Sequence, residues 1–238
     1  MVKWFSRKPG RIEVPRLRSR SDVSATEKIA LAEFAPDILA FFGRAAYVQL
    51  MIFENLSRVI STAPTTAAKA AIGKAAELSM AKHRKLVDEI TKAGGSPAEV
   101  MDSFTDEVDE FDRIARGADW YESLISAYLS AGFFDDFYAR LAAGLPTESH
   151  TRLVEIFRGE SGEKVLAEFL QAAIDENPRL DSRLAMWGRR LMGDMMLLAR
   201  SALVFPDHTR NTEAQVEPVF TELVASHTRR MDALGLTA

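Results

Sequence analysis

Residues 66–92 read TAAKAAIGKAAELSMAKHRKLVDEITK, and this stretch decides the fold class. Ile72, Ala76, Met80, Val87 and Ile90 recur at helical spacing, with His83 in the same stripe, which places all six on one face of an α-helix. Thr65 precedes the stretch as an N-cap, and Gly94-Gly95-Ser96-Pro97 stops it. The turn Ala63-Pro64-Thr65-Thr66 joins it to an earlier helix over about residues 37–61, so the two form a hairpin.

The same period continues outward in both directions, and no stretch shows sustained alternation of two. Upstream, Ser24 with Glu27 is a capping-box signature for a short entry helix, which Pro36 interrupts. Downstream, about residues 98–116 form an acidic connection with Phe104, Val108, Phe111 and Ile114 at helical spacing. Asp119 caps a third long helix over about residues 120–143. Gly144-Leu145-Pro146-Thr147 ends it and opens a fourth, expected to run unbroken to about residue 176. Two more helices are predicted near residues 180–204 and 213–233. Two long hairpins joined by a crossover predict an all-α fold, a ferritin-like four-helix bundle with additional C-terminal helices. Residues 24–238 form one domain in this reading.

Residues 1–23 read differently. Lys3, Arg7, Lys8, Arg11, Arg16, Arg18 and Arg20 stand against Glu13 up to residue 20, and Pro9, Gly10 and Pro15 break any helix. A flexible basic arm is expected, either a solvated tail or a non-specific contact to RNA, DNA or an acidic partner, with Trp4 and Phe5 available to stack on bases. The whole chain carries a net charge of −4, which does not suggest a nucleic-acid binder over its full surface. It contains no cysteine, which excludes disulfides, thiolate metal sites and thiol nucleophiles. No apolar run approaches the roughly 18 residues that span a bilayer, and no apolar segment follows the basic start. A cytoplasmic protein without a membrane contact is expected.

Three stripes carry groups that are costly to bury. Glu54 shares a face with Tyr47, Leu50 and Met51. His83 lies among the apolar residues of its helix. Glu160 and Glu163 fall on the stripe Leu153, Ile156, Ala167, Leu170 and Ile174. Buried carboxylates pair, protonate or bind a cation. A di-iron carboxylate site takes one Glu from each of two bundle helices and a Glu-x-x-His from each of the others. On that pattern Glu54, His83, Glu160 and Glu163 are candidate metal ligands, with Glu77 and Asp135 as candidates displaced by a turn. Met80 stands where the acid before His83 belongs, the third-helix acid position falls near Ala131, and Glu163 takes the place of a His. His150, His208 and His227 sit near predicted helix ends. Met192, Met195 and Met196 read as core filling, and Arg183, Arg189, Arg190 and Arg200 as a solvated helix surface.

The run WYESLISAYL at 120–129, with Gly132 and Asp136-Phe137-Tyr138, resembles the third helix of the MiaE-like ferritin-like proteins of actinobacteria. LAMWGRRL at 184–191 and HTRRMDALGL at 227–236 are similar to that family too, so the resemblance covers about residues 30–236. MiaE proper is a non-haem di-iron monooxygenase that hydroxylates the prenyl group of a modified adenosine in tRNA. The resemblance implies a ferritin-like fold, iron as cofactor, and ligand positions at Glu54, His83 and Glu160. Two functions follow as expectations. One is a non-catalytic scaffold or RNA- or protein-binding module with a degenerate metal site. The other is a di-iron, O2-dependent tRNA hydroxylase. The expected partners are RNA through the arm, or a protein through the last two helices; a homodimer is also compatible.

Overall fold

The computed structural model describes residues 31–205 and 210–237. The basic arm, the Ser24 cap and His208 lie outside them. Nine α-helices and no strand occur among the described residues: α1 (Ile38–Thr62), α2 (Thr66–Lys92), α3 (Pro97–Asp102), α4 (Thr105–Ala115), α5 (Trp120–Leu141), α6 (Thr147–Phe157), α7 (Glu163–Glu176), α8 (Arg179–Ser201) and α9 (Arg210–Asp232). None of them is long and apolar enough to cross a membrane.

Local chemistry sets the helix ends. Asp37 Oδ1 accepts from the backbone N–H of Leu39 at 3.1 Å and of Ala40 at 3.0 Å, which starts α1. Thr65 and Asp119 cap α2 and α5 in the same way, each accepting from the N–H three residues on. The end of α2 is a Schellman turn, with Gly95 N–H on the Ile90 carbonyl and Gly94 N–H on that of Thr91.

Helices α1, α2, α5 and the α6–α7 pair make the bundle. Going up α1, its partners on α5 descend: Phe41 packs on Tyr138, Gln49 bonds Asp135, and the Val59 carbonyl accepts from Trp120 Nε1. The pair is therefore antiparallel. Since α2 turns back on α1 through a tight loop, α2 and α5 run parallel, and α3–α4 return the chain along the bundle between them. Buried Arg44 locks that return to the frame, pairing with Glu107 of α4 at 2.7 Å and donating to the Leu198 carbonyl of α8 at 3.1 Å. Helices α8 and α9 close over the far side of α5. From Leu124 to Leu141 only Asp136 and Arg140 reach solvent in part, as expected for a helix apolar all round. Phe41, Phe137, Tyr138 and Phe157 fill one end of the core, with Tyr138 and Phe157 stacked at 5.5 Å.

The fourth bundle helix is not continuous. It stops at Phe157 and restarts at Glu163. Gly162 adopts φ +72°, and a Cβ there would lie 2.7 Å from the Ala75 Cβ of α2. The glycine lets the chain turn in the left-handed region hard against α2. The apolar stripe survives the break, with Leu153 and Ile156 buried before it and Leu166, Leu170 and Ile174 after it.

Candidate functional site

Three polar side chains meet in the core between α1, α2 and α5. Asp135 projects from the buried middle of α5. Gln49 on α1 donates through Nε2 to Asp135 Oδ1 at 3.0 Å. Lys82 on α2 donates its ammonium to Asp135 Oδ2. Ser79 lies one turn before Lys82 on the same buried face and returns its hydroxyl to the Ala75 carbonyl at 3.3 Å. All four residues are buried. Burial pushes the Asp135 carboxyl up to about 6, against the opposing pull of Lys82 and Gln49.

The residues singled out as metal ligands are elsewhere. Glu54 is exposed, 3.9 Å from Arg58. Glu77 is exposed and pairs with Lys74 at 2.9 Å. Glu160 lies exposed in the break between α6 and α7. Glu163, the first residue of α7, accepts from Arg230 Nε at 2.9 Å, and Arg230 reaches on to Asp136 at 2.9 Å. His83 is half-buried, its Nδ1 2.9 Å from the Ala46 carbonyl. Of the six, Asp135 alone enters the core cluster. Among the described residues no three His, Asp or Glu side chains converge on a common point.

The displacement has a simple geometric cause. One residue is 100° of helix rotation, so a stripe read one residue out faces a different neighbour. The buried face of α1 runs through Phe41, Ala45, Val48, Gln49, Ile52, Leu56 and Val59, leaving Glu54 outside. That of α2 runs through Ile72, Ala75, Ser79, Lys82, Leu86 and Glu89, leaving His83 at the rim. This second stripe keeps the same spacing as the one built on His83. Its signal is present in the sequence, but Lys82 and Glu89 read as solvent-facing.

Iron does not fit the donor set in the core. The cluster offers one carboxylate, an amide and an ammonium. Protonated lysine only donates, and its charge repels a dication. The Lys82 ammonium itself supplies the positive charge that Asp135 needs.

Residues 32–212 match a family model described as a ferritin-like domain of actinomycetes. No curated protein matches the chain.

Proposed function

The chain belongs to the ferritin-like domain family of actinomycetes, and from that premise we propose that it is a non-catalytic member, a metal-independent helical scaffold that presents an RNA-binding arm. The observation that carries this reading is the Lys82 ammonium on Asp135, in the core between α1, α2 and α5. A cation bound there would have to displace a charge covalently attached to α2. The arm supports RNA as the partner, because Lys3, Arg7, Lys8, Arg11, Arg16, Arg18 and Arg20 are concentrated at one end of an otherwise acidic chain.

Metal analysis tests the scaffold. Protein expressed with added iron should hold fewer than about one metal ion per chain, and a chelator should leave its melting temperature unchanged. About two irons per chain, lost on chelation together with stability, would overturn the reading and restore the oxygenase that the resemblance implies.

A further inference from the structure

A cavity of about 360 Å³ opens at the end of the bundle where α1 finishes and α5 begins. It is separate from the core cluster. Gln49 and Val59 are ten residues apart on α1, roughly 15 Å at 1.5 Å per residue. The lining shares no residue with the core cluster, so the two are tested by separate experiments.

The walls are chemically specific. Trp120 forms one side, its indole held by the Nε1–H bond to the Val59 carbonyl at 3.1 Å. Arg58 and Arg116 form another, and both bond a single carboxylate behind them, Asp112, at 2.7 and 3.0 Å. Each guanidinium has five N–H donors, and this geometry uses few of them. Arg58 spends one more contact on the Asn55 side-chain oxygen at 2.5 Å, with exposed Glu54 only at 3.9 Å. The one carboxylate in the lining, Asp119, is taken by Arg183 at 2.6 Å. Ser123 also lines the cavity. Residues 117–119, just before α5, line the cavity as well, and Ala118 N–H there donates to the Glu122 carboxylate at 2.9 Å.

We propose that this cavity binds a planar aromatic phosphate of mononucleotide size, its ring against Trp120 and its phosphate across Arg58 and Arg116. Paired guanidinia with spare donors match phosphate oxygens. An anchored indole offers a preformed ring surface, and the volume lies in the range of small-ligand sites. Ser123 adds a neutral donor to the same anion.

Calorimetric titration of the full chain tests it, with AMP, adenosine and inorganic phosphate as separate probes. AMP should bind at least about tenfold more tightly than adenosine or phosphate, because only AMP engages both walls. Arg116→Ala, at a half-exposed position that folding tolerates, should weaken AMP about tenfold or more. Ser123→Ala should weaken it by a smaller factor. The proposal is overturned if AMP shows no binding up to about 1 mM, if adenosine or phosphate binds as tightly as AMP, or if Arg116→Ala leaves AMP binding unchanged.

Discussion

Lys82 on α2 and Asp135 on α5 form an ion pair inside the bundle, and Gln49 on α1 occupies the carboxylate oxygen that Lys82 leaves free. A pair of this kind contributes little relative to apolar residues of the same volume, but breaking one half strands a buried charge. Lys82→Met or Asp135→Leu should therefore each cost about 3–5 kcal/mol in urea unfolding. The double variant Lys82→Met, Asp135→Leu should recover most of that loss. A double variant whose cost equals the sum of the single ones would show that the two side chains are not coupled.

The same carboxylate sets a pH signature. Asp135 is raised to about 6, so the folded chain takes up its proton before the unfolded chain does. Its contribution is fully present below the unfolded carboxylate range and is lost as pH rises through about 6. Buried His227 has the opposite sign. Desolvation, with the Arg230 charge close by, holds it down to about 4, so its contribution is present above about 6.5 and lost as pH falls through about 4. Between about pH 7 and about pH 4, wild type should gain stability relative to Asp135→Asn and lose it relative to His227→Phe. Denaturant unfolding at several pH values reads both slopes, and equal slopes in all three proteins would contradict the assignment.

Two glycine substitutions should move stability in opposite directions. Gly162→Ala places a side chain at φ +72° and against Ala75, and should cost about 1–3 kcal/mol. Gly73→Ala, inside α2 with nothing within 4 Å of the new Cβ, should stabilise by up to about 1 kcal/mol. Thermal melts of the two variants decide it. A stabilised Gly162→Ala would mean that α6 and α7 can join into one helix.

Deletion of residues 1–20 should weaken RNA binding and flatten its dependence on salt. Every phosphate that the shortened chain no longer neutralises takes about 0.7 from the slope of log affinity against log salt for a single strand. Filter binding of full-length and shortened chains over a salt series gives both slopes. Identical slopes would remove the arm from RNA recognition.

The hairpin α1–α2, the caps at Thr65 and Asp119 and the crossover are legible in the sequence because each depends on residues close along the chain. The break at residues 158–162 is not. Gly159 and Gly162 lie there, but the packing against Ala75 that requires a glycine at 162 involves a residue distant in sequence. The core polar residues are hidden for a related reason. Lys82 and Glu89 look like surface residues until their partners are known, and those partners, Asp135 and Arg152, lie more than fifty residues away. Glu54 and His83 fall outside the core because a stripe drawn through a residue for its chemistry can sit one position out. Arg230, which joins Asp136 of α5 to Glu163 of α7, gives no local signal at all.

The buried pair at Lys82 also bears on how the chain matures. A carboxylate neutralised by a metal must wait for the cell to deliver that metal, and its folding yield follows supply. Asp135 is paired with a side chain made on the same ribosome, so in the scaffold proposed above the charge balance of this core is complete when α2 meets α5.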